Sequence, residues 1–142
     1  MRHFYPILRF AFVCVFAFIF NPVHAQVILT AAGSGNTGYT NGPATAAQMN
    51  SPMAVAVDKA GNIYFADYNN NVIRKISGGI VSTIAGTGTA GYNGDNGKAD
   101  TSLLNGPEGV AVDTAGNIYI ADFNNARVRM VTKATGLIST IA

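Results

Sequence analysis

GNIYFADYNNNVIRKI, Gly61–Ile76, returns later in the same chain as GNIYIADFNNARVRMV, Gly116–Val131. The likeness extends outward in both directions. NSPMAVAVDKAGNIYFAD from Asn50 matches NGPEGVAVDTAGNIYIAD from Asn105 at an offset of 55 residues. Upstream, GSGNTGY from Gly33 answers GTGTAGY from Gly86 at 53, and downstream VSTIA ending at Ala85 answers ISTIA ending at Ala142 at 57. The slips fall in glycine-rich or turn segments, where a repeat tolerates insertion best.

Inside each unit the apolar residues alternate with a period of two, the pattern of strands. Val110 and Val112 share one face with Ala111 on the other, and Ile118 and Ile120 oppose Tyr119 and Ala121. Asp113–Asn117, DTAGN, reads as a short hairpin loop in which the carboxylate accepts backbone N–H groups and Gly116 takes positive φ. RVRMV from Arg127 gives a third strand and LISTIA from Leu137 a fourth, so each unit is predicted to be a four-stranded antiparallel meander. Bulky branched residues lie on one face and small or mixed ones, such as Ala54, Ala56 and Ala66, on the other. Two apolar faces of unequal relief suit sheets stacked with the large side of one against the small side of the next. The link from Gly86 reads as loop in its glycine-rich half. KADTSLLN could then make one helical turn burying Leu103 and Leu104, as PATAAQMN would bury Met49, with Pro52 and Pro107 leading into the next strands.

The pattern GVAVD..GNIYIAD..NARVRMV resembles the NHL repeat, in which a first strand ends in Asp, a Gly-Asn turn follows, a second strand ends in Ala-Asp, and Asn-x-Arg-Val/Ile comes next. In the second unit Asp113, Gly116, Asn117, Asp122, Asn125, Arg127 and Val128 all match; in the first, Asp58, Gly61, Asn62, Asp67 and Asn70 do. The first unit departs at Val72, where the family has Arg, and at Lys75, where the second unit has Met130. These departures are expected to weaken its strand-to-loop hydrogen bonding and to bring a charge near an apolar face. The resemblance implies an all-β chain, a β-propeller commonly of six blades, and assigns the matching residues a structural role.

The expected organisation is a signal peptide at 1–25, a lone outermost strand and glycine-rich linker at 26–49, one repeat at 50–85, a linker with a short helical turn at 86–104, and a second repeat at 105–142. Two blades hide one interface and leave two apolar faces wet, whereas propellers close with about 4 to 8 blades. VILTAAG from Val27 aligns with IVSTIAG from Ile80, so it is an outermost strand with no blade of its own. The sequence therefore reads as part of an incomplete propeller whose further blades come from a longer parent chain or from self-association.

Arg2 and Arg9 flank the start of an apolar run, Phe10–Phe20, shorter than the roughly 20 residues of a membrane-spanning helix. NPVHA after it predicts cleavage behind Ala25. Export would leave a mature chain without His3, Cys14 or His24, hence with no histidine or cysteine, and with no membrane span. That excludes thiol or imidazole catalysis, disulfides and His/Cys zinc sites within the chain, and no cofactor is expected. Losing Arg2 and Arg9 from nine basic residues leaves seven against seven acidic. A neutral surface argues against tracking nucleic-acid phosphates and for an unidentified protein, glycan or small-molecule partner.

Asp67 and Asp122 end their second strands and are read as structural acceptors, from backbone N–H groups of the following Asn-rich turn or from an arginine on the third strand, Arg127 in the second unit. NGDNGKAD, with Asp95, Asn96 and Asp100, lacks the spacing of a calcium loop. GTGTAG at Gly86 lacks the Lys-Ser/Thr of a phosphate loop. Tyr68 and Phe123 are candidates for an exposed binding loop, or equally for packing over the rim. The function read from the sequence is a non-catalytic exported interaction module. The alternative is a piece of a six-bladed enzyme resembling lactonases or lyases, with its active-site residues outside this chain.

Overall fold

The computed structural model describes residues 28–142; the signal segment expected at 1–25 lies outside them. The first sheet comprises β1 (Gly42–Pro43), β2 (Pro52–Val57), β3 (Ile63–Asp67), β4 (Val72–Ser77) and β5 (Ile80–Ala85), in the order β1-β5-β4-β3-β2. The second repeats it with β6 (Gly97–Lys98), β7 (Pro107–Val112), β8 (Ile118–Asp122), β9 (Arg127–Val131) and β10 (Leu137–Thr140), in the order β6-β10-β9-β8-β7. All neighbours within a sheet are antiparallel.

Four strands of each sheet form the expected meander, but each sheet has a fifth strand that the alternation does not show. It comes from the linker read as loop. Gly42 pairs Val81 and Pro43 pairs Ile80; Ile138 and Leu137 pair Gly97 and Lys98 in the same way. Ala44 N–H donates to Gly79 O at 2.8 Å and Ala99 N–H to Gly136 O at 3.0 Å, extending the contact. Two residues are too few for a periodic signal, and proline is tolerated because the strand lies on an edge. The linker is therefore clasped to the outermost strand of the blade it precedes. After it comes one 3-10 turn, Ala44–Ala46 or Ala99–Thr101. Leu104 is fully buried there, while Leu103 and Met49 are half-buried.

The two sheets stack through unlike faces. Blade 2 turns its branched residues Val110, Val112, Ile118 and Ile120 toward the side of blade 1 that carries Ala56, Tyr64, Ala66 and Ile73, and Leu104 and Ile138 close the same core. Burying each large aliphatic side chain contributes about 1.5–3 kcal/mol, so this layer holds the pair together. The branched face of blade 1, opposite in direction, is partly open: Val55 is 66% and Val57 59% exposed. Phe65 and Val81 on that face are covered from outside by Ala44, Ala47, Ala32 and Met49.

Ile28–Gly33 forms no strand, contrary to the reading of VILTAAG as an outermost strand, of which Val27 lies outside the described residues. An outermost strand needs an inner strand to pair with, and among the described residues none is beside it. Its place is nevertheless that of one: Gly33 N–H donates to Ala44 O at 2.8 Å as Gly86 N–H, after β5, donates to Ala99 O at 2.9 Å. Among the described residues no helix is long and apolar enough to cross a membrane.

Candidate functional site: the loop rim and its buried clasps

Each blade is organised about a fully buried carboxylate and a fully buried guanidinium. Asp67, the last residue of β3, accepts Asn50 N–H at 2.7 Å on one oxygen, and Asn70 Nδ2 and Arg74 Nη1 at 2.9 Å each on the other. Arg74 also donates to Gln48 O, Thr40 O and Asn41 Oδ1, while Tyr39 lies over its guanidinium at 5.2 Å. One arginine thus fastens the second strand, the third strand and the preceding linker.

Blade 2 repeats the device with variations. Asp122 accepts Asn105 N–H and Asn125 Nδ2 at 2.8 Å each, and Arg129 Nη1 stands 3.6 Å away. Arg129 donates to Gly94 O at 2.8 Å and Asp95 Oδ1 at 3.2 Å, under the ring of Tyr92. Asp95 in turn accepts the Thr140 backbone N–H and hydroxyl, so the carboxylate weighed as a calcium ligand clasps the linker to β10.

At one end of the strands sit the β2–β3 and β7–β8 turns. Asp58 accepts Asn62 Nδ2 at 2.7 Å, the Asn62 and Ala60 N–H groups at 2.9 Å, and Tyr64 Oη at 3.0 Å. Asp113 is bonded alike by Asn117 and Tyr119, and Gly116, like Gly61, turns at positive φ. The Asn62 side chain, with further help from backbone N–H groups and Tyr64, holds the Asp58 carboxyl at about 2 instead of 3.8. Asp113 is lowered for the same reasons, led by Asn117. Burial, then the Asp58 bond, pushes Tyr64 up to about 12. The other end is the rim. There Tyr68–Asn70 and Phe123–Asn125 form single 3-10 turns, and the residue after each, Asn71 or Ala126, is left-handed.

These two sheets, each with its buried Asp clasp and Asp-Gly-Asn turn, are two β-propeller blades, and residues 104–129 match the NHL repeat. The second blade carries an NHL repeat, and the first repeats its pattern. NHL repeat-containing protein 2 of Gallus gallus is 39% identical over 83 residues, 56% of this chain and 11% of that protein. A structural genomics protein of unknown function from Bacteroides thetaiotaomicron superposes with a TM-score of 0.64 at 26% identity, over 70% of this chain and 26% of that one. An auxiliary nutrient binding protein from Bacteroides ovatus gives 0.57 at 26% identity, over 75% and 27%. The chain spans only 4–11% of the curated relatives it matches.

The arginine assigned from the NHL signature needs correcting. Arg127 does not pair with Asp122; its Nη1 donates to Asn125 O and its guanidinium stacks on Tyr92 at 4.0 Å. The side chain that reaches the carboxylate is two residues on, Arg129, with Arg74 as its counterpart. The backbone N–H donors to Asp67 and Asp122 come from Asn50 and Asn105 ahead of the first strand, while the following turn donates only through the Asn70 and Asn125 side chains. In the first unit Val72 lacks the strand-to-turn bond that Arg127 makes to Asn125 O, and Lys75 does lie beside the apolar face, but other contacts compensate. Val72 is fully buried, Arg74 makes the fuller set of bonds, and the Lys75 ammonium lies over the Tyr64 ring at 5.4 Å. Arg74 and Arg129 were findable, being identical at the repeat offset of 55, but basic residues inside alternating strands read as solvent-facing.

The turn carboxylates set a pH dependence. A carboxyl lowered in the fold contributes stability that is complete above its unfolded value and lost as pH falls through the folded one. Melting temperature should therefore hold from neutrality to about pH 4 and fall between there and about 2. Asp58→Asn with Asp113→Asn should start lower and flatten that limb, as thermal melts by circular dichroism across pH would show.

Proposed function

We propose that this chain is an exported, non-catalytic interaction module that presents the rim turns of its blades to a partner. The observation that carries the reading is the row Tyr68, Asn69, Phe123 and Asn124. Asn69 and Asn124 are exposed, and Phe123 is 57% exposed beside them on turns fixed by the buried clasps. Asn124 Nδ2 reaches Tyr68 Oη at 3.5 Å, joining the two turns into one surface. Aromatic and amide side chains on a rigid scaffold supply contact area and adaptable hydrogen bonds at small entropic cost. Asp58, Asp67, Asp95, Asp113 and Asp122 all spend their oxygens on framework bonds, which leaves them unsuited to acid–base work. A nutrient binding protein among the structural neighbours is consistent with ligand binding as the use of such a scaffold.

A photoreactive phenylalanine analogue at position 123 tests the reading in the exporting cell. It should yield one specific adduct in envelope or secreted fractions, lost on Asn124→Ala and not formed from position 133 at the opposite end of the strands. Equal labelling from both ends would overturn it. Mass spectrometry of the same fractions should find Gln26 at the N-terminus; a mature protein retaining Met1 would contradict export.

A further inference from the structure

The contact between the two blades specifies what can occupy the open face of blade 2. Gly106, ahead of β7, lies at φ +56, and a Cβ there would collide with Asn124 Nδ2 of its own blade and stand 2.9 Å from Tyr68 Cε2 and 3.1 Å from its Cζ on the neighbouring one. The Tyr68 ring of one blade therefore rests on a glycine of the next. Beside it, Asn71 Oδ1 accepts Gly106 N–H at 2.9 Å and Asn71 Nδ2 donates to Gly88 O at 3.5 Å.

Both partners have counterparts on the open faces, in the same backbone conformations but with different side chains. Ser51, at φ 57, stands where Gly106 does; Ala126, at φ 50, stands where Asn71 does. Ser51 is also engaged with its own blade, its hydroxyl accepting Asn69 Nδ2 at 2.8 Å. If blade 2 of one molecule met blade 1 of another in the register seen inside the chain, the Phe123 ring would meet the Ser51 Cβ at about 3 Å, closer than packed carbon atoms approach. Ala126 could not bond the Ser51 N–H. The branched and small faces match between copies; the rim does not.

We propose that the open face of blade 2 takes a further blade of the same repeat carrying glycine at the position of Gly106, and that Ser51 bars a second copy of this chain from that place. The Phe123 ring then lies edge-down on that glycine, its other edge staying at the rim as that of Tyr68 does. The inference does not depend on what the rim binds. Residue 106 and its counterparts decide which blade follows which, while the apolar layer supplies adhesion without discrimination.

The test extends the full chain beyond Ala142 in two ways, by a copy of residues 86–142, which carries Gly106, or by a copy of residues 33–85, which carries Ser51. The first extension should raise the melting temperature by about 5 °C or more, in a single transition. The second should raise it much less, and Ser51→Gly in the appended copy should recover most of the difference. Equal effects of the two extensions, no gain from either, or no response to Ser51→Gly would overturn the proposal. Within the unextended chain, Gly106→Ala should lower the melting temperature less when Tyr68 is already Ala. The strain of a side chain at positive φ and its contact with Asn124 are common to both backgrounds, so additive losses would also overturn it.

Discussion

Replacing Arg74 by methionine should destabilise the chain by about 3–5 kcal/mol, the cost of leaving one partner of a buried ion pair behind. Asp67 would remain fully buried with Asn50 and Asn70 as its donors, while Gln48 O and Thr40 O would lose the guanidinium and Asn41 Oδ1 would keep only the Thr83 hydroxyl. Against a typical net stability of about 5–15 kcal/mol, that loss is enough to melt blade 1. Arg129→Met should cost less, because its nearest approach to Asp122 is 3.6 Å against 2.9 Å for Arg74 and Asp67. Urea titrations of the two variants give the order directly. A loss below about 1 kcal/mol for Arg74→Met would show that the clasp is not what fixes the linker to the blade.

Ile120→Ala should cost about 2–5 kcal/mol, since it hollows the layer between the blades where Ile120 has no exposed surface. Val57→Ala removes two methyl groups from the counterpart of Val112, but Val57 is 59% exposed, so it should change stability by no more than about 0.5 kcal/mol. Similar costs for the two would mean that the open branched face is covered by something in solution.

The stacking was legible because alternation reports faces directly: Ile118 and Ile120 against Ala56 and Ala66 is a two-residue period seen from both sides. The turn at Asp113 and Gly116 was legible because an Asp and a glycine have a backbone reason to stand there. The fifth strand was not, because Gly42–Pro43 and Gly97–Lys98 are held by the edge they meet and not by any pattern of their own. The clasp was misassigned for a related reason. The family signature draws attention to Arg127, yet on a strand the side chains two apart share a face, and what separates Arg127 from Arg129 is depth along the strand. Phe123 and Tyr68 occupy equivalent turns and differ in exposure because only Tyr68 has a following blade to rest on. No property of the residues themselves distinguishes them.

Light scattering combined with scanning calorimetry on the chain tests the central claim, that two stacked blades leave two unlike apolar faces in need of neighbours. Exposed faces of this kind adhere without defined stoichiometry. The expected result is polydisperse association, binding of a hydrophobic dye and a broad, weakly cooperative transition. A monodisperse monomer that binds no dye and melts in one sharp transition would contradict it.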